Sequence, residues 1–463
     1  MSSNLPDAAL AAPSLTLTAE DAARGDVPRL QAGASERHGP VLRGNVPSGP
    51  DAGPCLFLVG PEVAREALTS KVRAFSSDHG WLPVLGRGCG HAVLNTDDPL
   101  HAEQRRRWAP AFTGGVIESH WPRIEGAIDD WLAGLQDGAE FDAYPSLRAL
   151  AFRAVARTLA GVPDCFIEPA FRATCVVLNG QDLARESRED FVRRADAARA
   201  ELRAIVREVI ADRRRQRSAG ACSLLDLLLG YPAFPENADA DEAIRSHITM
   251  LLIAGHDTGA TLFSRAAFLL AEQPAIADLL AGELAAAGWA RGRTLPISVL
   301  DRLPYLQRFM LEVGRLYPSL LNLPRVVVEE VAIGGYRIIP GTRVALAIAA
   351  THLLARVFPD PLRFDLERYP EVENNPSTRP FQMLTFAGGS RTCMGLRFAQ
   401  FEFKSIVARI VAQLELAPGE GVPAPHAGFW NARPAGPLRV RVRRRLSGVE
   451  HRRARPEPHA ATR

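Results

Sequence analysis

The stretch Phe386-Ala-Gly-Gly-Ser-Arg-Thr-Cys393-Met-Gly395 sets one cysteine in a glycine-rich turn directly before a segment with helical periodicity. Residues 396–411 repeat apolar side chains at the spacing of one helix face. Cys393 is therefore predicted at a helix N-terminus, where unpaired N–H groups and the helix dipole lower a thiol pKa and stabilise negative sulfur. A lone cysteine is more often a small buried apolar residue, so its surroundings must decide between the two interpretations.

Five positions of this stretch match the pattern Phe-x-x-Gly-x-Arg-x-Cys-x-Gly, namely Phe386, Gly389, Arg391, Cys393 and Gly395. A chance match in a chain of this length has a probability on the order of 10⁻⁴. The stretch resembles the haem-binding loop of the cytochrome P450 superfamily. The resemblance implies that Cys393 is the thiolate ligand of the iron of haem b, and that Phe386, Arg391 and Gly395 contact the cofactor. A thiolate ligand pushes electron density onto the iron and favours O–O cleavage.

A second motif lies in the long apolar segment 241–271, which is predicted to be a helix. In its middle, a glycine, an acid and a hydroxyl follow one another in the run from Ala254 to Thr258, and such residues destabilise an apolar helix. One explanation is structural, a kink whose polar groups satisfy one another. The run matches the superfamily motif Ala-Gly-x-Asp-Thr. The resemblance implies a helix bulged over the iron, with Ala254 and Gly255 at the cofactor and with Asp257 and Thr258 as catalytic residues that help deliver protons to dioxygen.

Cationic residues elsewhere are candidates for binding the two haem propionates. His101 and Arg105 lie four residues apart on a helix that Asp98-Pro99 is predicted to open, and alone they would be read as a solvated surface pair. The resemblance reverses this interpretation, because relatives carry His-x-x-x-Arg at this place. It also implies a propionate contact for Arg325.

A further charged group is predicted to be scaffold. Glu312 and Arg315 form a Glu-x-x-Arg pair, which by itself carries little information because such ion pairs are common on helices. The resemblance implies a buried pair joined by Arg363. Burying one of these charges without the others would leave it uncompensated.

Length and composition limit the class of protein. The chain has 463 residues, 47% hydrophobic and 23% charged, ordinary values for a globular protein with a sizeable core. The net charge of +3 is too small to indicate nucleic acid as a partner. The six cysteines show no metal-ligand spacing, which favours reduced thiols in a cytoplasm. No apolar run reaches the roughly 20 residues of a membrane span, so we expect a soluble, bacterial-type protein without a membrane anchor. We also expect a monomer.

The expected fold is mainly α with small β-sheets, a single cytochrome P450 domain enclosing haem over residues 46–446. Residues 1–45 are expected to be a loosely ordered lead-in, and residues 447–463 a disordered basic tail. Strands are predicted at 55–59, 325–328, 336–339, 343–348 and 438–442, with Gly334-Gly335 turning between the second and third of them. Residues 61–68 are predicted to be a helix. Residues 75–95 are predicted to be an irregular loop, which is either an ordinary packed loop or a wall of the substrate pocket.

The function implied by the resemblance is insertion of one oxygen atom from dioxygen into a small hydrophobic substrate. Electrons would come from NAD(P)H through a ferredoxin or flavodoxin-type donor and its reductase. A basic patch of Arg106, Arg107, Arg397 and Lys404 is a candidate docking surface, and scattered solvated arginines are the alternative. A haem-thiolate sensor and a peroxide-driven enzyme are rivals, and Asp257-Thr258 argues against both. Sterols, terpenoids, fatty acids, polyketides and aromatics all remain possible substrates.

Overall fold

The computed structural model describes residues 5–48, 52–85, 90–178, 187–216, 223–230, 238–289, 295–370 and 380–445. Its α-helices, in chain order, are α1 Ala8–Ala11, α2 Ala19–Arg24, α3 Val27–His38, α4 Pro61–Leu68, α5 Ser77–Leu85, α6 Leu100–Trp108, α7 Gly114–Ala133, α8 Ala143–Arg157, α9 Asp164–Leu178, α10 Arg188–Gln216, α11 Leu224–Leu229, α12 Ala238–Glu272, α13 Pro274–Ala286, α14 Ile297–Leu300, α15 Pro304–Leu316, α16 Ile348–His352 and α17 Leu396–Gln413. In the ranges just given, no helix combines the length and the apolar character required to cross a membrane.

The strands form small sheets beside the helices. They are β1 Ser14–Leu15, β2 Val41–Val46, β3 Gly53–Leu58, β4 Phe75–Ser76, β5 Glu140–Asp142, β6 Asn322–Val327, β7 Val331–Ile333, β8 Tyr336–Ile338, β9 Arg343–Ala347, β10 Leu414–Pro418, β11 His426–Gly428, β12 Ala432–Pro434 and β13 Arg439–Arg445. The largest sheet has the order β1-β2-β3-β9-β6-β4, and a second has the order β10-β13-β5. In the largest sheet, Arg325 of β6 lies opposite Val344 of β9. The predicted fold class, mainly helical with small sheets, is confirmed.

Helix α12 runs through the centre of the helical region. Most of its side chains are apolar and buried on every side, as its sequence predicts. The ring of Phe263 lies 6.1 Å from that of Phe403 on α17, so these two helices converge. On the side of α8, a Cβ added to Gly255 would lie 3.1 Å from Cγ1 of Val155, which explains the glycine as a residue that allows close helix packing.

The N-terminal region differs from the expectation of a loosely ordered lead-in. Helix α2 begins with a capping box between Thr18 and Asp21, and α3 buries Val27, Ala32 and Gln31. The amide of Gln31 donates to Asn322 of β6 over 3.3 Å. Small alanine-rich packing faces give little hydrophobic periodicity, which is why the sequence did not reveal these helices. The predicted tail, 447–463, lies outside the described residues.

Two local predictions were also wrong. Residues 77–85 form helix α5 rather than part of an irregular loop. The Gly334-Gly335 turn joins β8 to β7, a strand that was not predicted, whereas β6 pairs with β9. Both glycines have positive φ, as the tight turn requires. The predicted helix 61–68 is confirmed at its stated bounds.

Candidate functional site

The cysteine loop is held in shape by its own backbone and by α4. The N–H of Cys393 donates to the carbonyl of Phe386 over 2.9 Å. Gly389 has φ +60°, and a Cβ there would lie 2.1 Å from the carbonyl oxygen of Leu68 at the end of α4. Only glycine fits this close approach. Helix α17 begins at Leu396, so Cys393 lies just outside the helix N-terminus.

The electrostatics of Cys393 differ from the sequence prediction. Burial raises the pKa of the thiol, and the N–H of Gly395 and the Arg105 guanidinium offset this only in part. The backbone N–H at the start of the helix lowers the pKa as predicted, but desolvation outweighs it, so the predicted net direction was wrong. The side chain is nevertheless accessible to solvent-sized molecules, so it lines an internal space. A thiolate at this depth requires a positive partner such as a metal ion.

The facing part of α12 has an accessible stripe in an otherwise buried helix. Ala254 is exposed and Gly255 and Thr258 are partly exposed, whereas Leu252 and Ile253 are buried. The hydroxyl of Thr258 donates to the carbonyl of Ala254 over 2.8 Å. The helix continues through these residues without a break, so the bulge implied by the resemblance is not present.

Asp257 points away from this stripe, toward α8. Its Oδ1 accepts a hydrogen bond from the hydroxyl of Tyr144 at 2.6 Å and lies 2.9 Å from Nε of Arg148. Burial by itself would raise the pKa of this carboxyl, but the charges of Arg148 and Arg433 hold it below its usual value. The sequence analysis did not predict these partners, Tyr144, Arg148 and Arg433. Tyr144 and Arg148 lie four residues apart on one helix, and this spacing is not a recognisable motif.

A cationic cluster of His101, Arg105, Arg325 and Arg391 lies beside the cysteine loop. These residues come from α6, from β6 and from the cysteine loop, and their charges act on one another. Burial and the charge of Arg391 lower the pKa of Arg325 to about 9 and that of His101 to about 4. Such shifts mark cations that need an anionic partner.

The hydrogen bonds of the cluster leave most of its donors unused. Arg105 donates to the carbonyl of Thr392 over 2.7 Å, and Arg325 to that of Pro324 over 2.7 Å. Arg391 donates to the carbonyl of Thr96 over 2.8 Å, and its Nε has no hydrogen-bond partner within the described ranges. The nearby carboxylates are Asp97, 3.6 Å from Arg391, and Asp98, 3.3 Å from His101. The cluster could therefore hold a ligand with two acidic groups.

A cavity of about 400 Å³ lies between the cysteine loop, α12, α15 and α17, and neither Cys393 nor the cationic cluster is among its lining residues. Its walls include Leu262 of α12, Phe386 and Thr392 of the cysteine loop, and Leu396 and Ala399 of α17. The accessible thiol of Cys393, the accessible stripe of α12 and the cationic cluster fit a flat, apolar, dianionic group that contains a metal. The residues present thus fit haem.

The group of Glu312 and Arg315 is scaffold, and its third member was predicted wrongly. Both side chains are fully buried, and Arg368 lies 3.2 Å from Glu312. The predicted partner, Arg363, has a 66% exposed side chain paired with Asp365, and only its carbonyl accepts from Arg315. Arg368 is followed in the sequence by Tyr369, whose hydroxyl also donates to Glu312. This Arg-Tyr pair is the sequence feature that could have indicated Arg368.

The predicted docking patch keeps two of its four members. Lys404 is 4% exposed, and its ammonium donates to the carbonyl of Leu300 over 3.1 Å. Burial lowers its pKa to about 8. Arg107 is partly buried and pairs with Glu103. Of the four residues, Arg106 and Arg397 are exposed, as a docking surface requires.

A mainly helical domain in which an accessible cysteine lies beside a cationic cluster is typical of the class of haem-thiolate proteins. Comparison with known sequences gives the family. The sequence model of the family described as Cytochrome P450 matches residues 34–437. The chain belongs to the cytochrome P450 family and is a monooxygenase of that family.

Individual relatives agree with this assignment. The chain is 30% identical over 382 residues to cyclooctat-9-en-7-ol 5-monooxygenase of Streptomyces melanosporofaciens, covering 78% of this chain and 80% of the relative. The fold of the chain is similar to that of retinoic acid bound cyanobacterial CYP120A1, with a TM-score of 0.80 and 23% identity. The match covers 96% of this chain and 100% of that one. The haem domain of cytochrome P450DA gives a TM-score of 0.78 at 20% identity, covering 94% of this chain and 99% of that one.

Proposed function

We propose that the chain binds haem b, that Cys393 would hold its iron, and that His101, Arg105, Arg325 and Arg391 would hold its propionates. The observation that carries this proposal is the accessible thiol beside a buried cationic cluster with unused donors. When bound, haem supplies the activation of dioxygen that inserts one oxygen atom into the substrate.

The residues of the chain bind, orient and supply protons in this reaction. Phe386 and Gly395 would shape the loop that holds the cofactor, and the small residues Ala254 and Gly255 would leave room for it on the side of α12. The hydroxyl of Thr258 gives its proton to the carbonyl of Ala254, so its oxygen is free to accept a hydrogen bond from water. Thr258 would thereby hold water at the accessible stripe of α12. Asp257, which faces α8 in this structure, would exchange protons with water that reaches its carboxylate.

Electrons come from NAD(P)H through a ferredoxin or flavodoxin-type donor with its reductase, which docks at the exposed arginines Arg106 and Arg397. A cytoplasmic location fits the free thiols of Cys55, Cys165, Cys175 and Cys393. Asp257 and Thr258 favour this function over a sensor or a peroxide-driven enzyme, because neither rival needs a proton supply.

The substrate is a small hydrophobic molecule, and we favour an apolar cyclic compound of the kind exemplified by cyclooctat-9-en-7-ol. The support is the name of the relative, a monooxygenase of that compound, to which the chain is 30% identical. A panel of hydrophobic compounds, scored by the substrate-induced shift of the haem spectrum, tests this class. Shifts given only by linear acids would contradict it.

The decisive experiment concerns the cysteine. Reduced protein treated with carbon monoxide is expected to show the strongly red-shifted Soret band of thiolate ligation. Cys393→His should abolish that band, whereas Cys55→Ser, as the matched control, should retain it. A histidine-type band in the wild-type protein would contradict the proposal.

A further inference from the structure

The cavity between the cysteine loop, α12, α15 and α17 is distinct from the proposed haem site. The described residues that line it include neither Cys393, nor the cationic cluster, nor the accessible stripe of α12. Its volume of about 400 Å³ lies in the range of small-molecule pockets, about 300–1,000 Å³. Gly389 and Arg397 line it and are both exposed, so the cavity reaches the protein surface.

The deeper walls of this cavity are apolar. Leu262 of α12, Met310 and Leu311 of α15, and Phe403 of α17 line it and are buried. Met383, in the segment before the cysteine loop, adds a second flexible thioether to the wall, and such side chains adapt to ligands of different shape. A ligand of this cavity is therefore apolar over most of its surface.

One buried amide interrupts the apolar lining. Gln400 on α17 lines the cavity and is 4% exposed, and its Nε2 has no hydrogen-bond partner in the described part of the chain. A buried donor without an acceptor lowers the stability of a protein, so native structures keep few of them. A ligand that brings one acceptor, such as a carbonyl oxygen, would satisfy this amide.

The other polar side chains of the lining already have partners. The hydroxyl of Thr385 donates to the carbonyl of Gly314 over 2.9 Å, and that of Thr392 donates to the carbonyl of Gly389 over 2.8 Å. Arg397, the one charged residue in the described lining, pairs with Asp301 over 3.1 Å. Its charge is thus balanced, which favours a neutral ligand over an acid.

The wall beside the cysteine loop is held in an unfavourable backbone conformation. Phe381 and Ala387 both line the cavity, and their φ angles of +65° and +56° lie in the left-handed region that residues with a side chain seldom adopt. The ring of Phe381 lies so close to Gly388 that a Cβ there would be 2.8 Å from Cε1 of the ring. Conformations of this kind are typical of binding sites.

We propose that this cavity is a second ligand site, which binds a small neutral apolar molecule through one carbonyl-type acceptor bonded to Nε2 of Gln400. The ligand would lie between α15 and α17, against the cysteine loop. The site goes beyond the proposed function, because it is separate from the space that would hold haem and the oxidised substrate.

Fluorine NMR of the holoenzyme with para-fluoroacetophenone, a neutral aromatic ketone, tests the proposal. Saturating phenylimidazole, which ligates haem iron, occupies the substrate side, so that binding elsewhere is measured. Saturable binding is expected, and Gln400→Leu should weaken it about fivefold, the effect expected for loss of one hydrogen bond. Para-fluoroethylbenzene lacks the carbonyl, so it should bind to wild type and to Gln400→Leu alike, which shows that the cavity of the variant is intact.

Gln307→Leu is the matched control. Gln307 is also buried and its Nε2 also has no partner in the described ranges, but it lies on α15 outside the cavity lining. This variant should bind para-fluoroacetophenone as wild type does. In crystals of the holoenzyme soaked with para-bromoacetophenone, the anomalous signal of bromine should lie between α15 and α17.

The outcomes separate this inference from the proposed function. A missing spectral shift with phenylimidazole contradicts the proposed function, because that shift reports on haem. Three results overturn the inference alone: no saturable binding once phenylimidazole is bound, equal ketone affinity in Gln400→Leu and wild type, or bromine on the substrate side only. A bromine signal in crystals without saturable binding in solution would be binding at crystal concentration only and also overturns it.

Discussion

Two clusters of buried arginines in the described part of the chain differ in how well their donors are satisfied. In the first, Arg315 directs five hydrogen bonds to the carboxylate of Glu312 and to the carbonyls of His352, Pro361 and Arg363. The second is the cluster of His101, Arg105, Arg325 and Arg391. Each of its arginines makes one hydrogen bond to the rest of the described chain.

The difference separates scaffold from site. A buried guanidinium whose donors are all used has no capacity left for a ligand, and its removal damages the protein itself. A buried guanidinium with unused donors lowers the stability of the protein, and an anion that accepts from those donors offsets this cost. Such a guanidinium is therefore better explained by ligand binding than by folding. The first cluster should therefore govern folding and the second cofactor affinity.

The largest effect is expected at the saturated cluster. Glu312→Gln keeps the shape of the side chain but leaves Arg315 and Arg368 without their carboxylate. The free energy of unfolding should fall by about 3–5 kcal/mol, measured by denaturant titration of the holoprotein. Arg363→Gln, at the exposed arginine first taken for the partner, should change it by less than about 0.5 kcal/mol. Equal midpoints for Glu312→Gln and wild type would break the comparison.

At the unsaturated cluster, Arg391→Met should lower haem affinity and leave the stability of the haem-free protein unchanged or higher. A hydrogen bond between charged groups is worth about 1.5–3 kcal/mol, so haem should transfer to an acceptor protein about tenfold to a hundredfold faster. Arg356→Met, at an exposed arginine paired with Glu62, serves as the control. A loss of haem-free stability without faster transfer would assign this cluster to scaffold.

The sequence predicted the parts of these clusters that sit in short motifs. Cys393 and Arg391 were found because a loop that must approach α4 closely restricts residue types within ten positions. Arg368 and Tyr144 were missed, since their roles depend on partners more than 50 and 110 residues away. The direction of the Cys393 pKa shift was also missed, because desolvation depends on burial and not on sequence spacing.

His101 of the second cluster and His352, which lies beside Arg315 of the first, should both lower the stability of the protein in acid. Burial lowers the pKa of His101 to about 4 and that of His352 to about 3, so both stay neutral in the folded protein while the unfolded chain takes up protons below pH 6.5. Each therefore removes up to about 1.4 kcal/mol of stability per pH unit as the pH falls from 6.5 toward the folded pKa.

Haem should moderate only one of these losses. Propionates beside His101 would raise its pKa, so haem binding should make the decline with acid shallower, and His101→Gln should remove that difference. His352→Gln should flatten the decline equally with and without haem. Denaturant midpoints at pH 6.5 and 5.0, for haem-free and haem-loaded protein, give all the slopes. A His101→Gln protein in which haem still changes the slope as in wild type would contradict the assignment of His101 to the site.

The smallest effect is expected at exposed arginines, because water satisfies their donors and they act on a partner only through long-range charge. Arg397 is half-exposed and lies 3.1 Å from Asp301, and Arg106 is exposed. Reversing both, Arg106→Glu with Arg397→Glu, should slow reduction by an acidic ferredoxin or flavodoxin-type donor about threefold to fivefold at 0.01 M salt. The difference should shrink at 0.15 M, since the Debye length falls from about 30 Å to about 8 Å. Arg24→Glu with Arg172→Glu, on α2 and α9, changes net charge equally and should not slow reduction. If both double variants are slowed alike, net charge and not this surface governs the encounter with the donor.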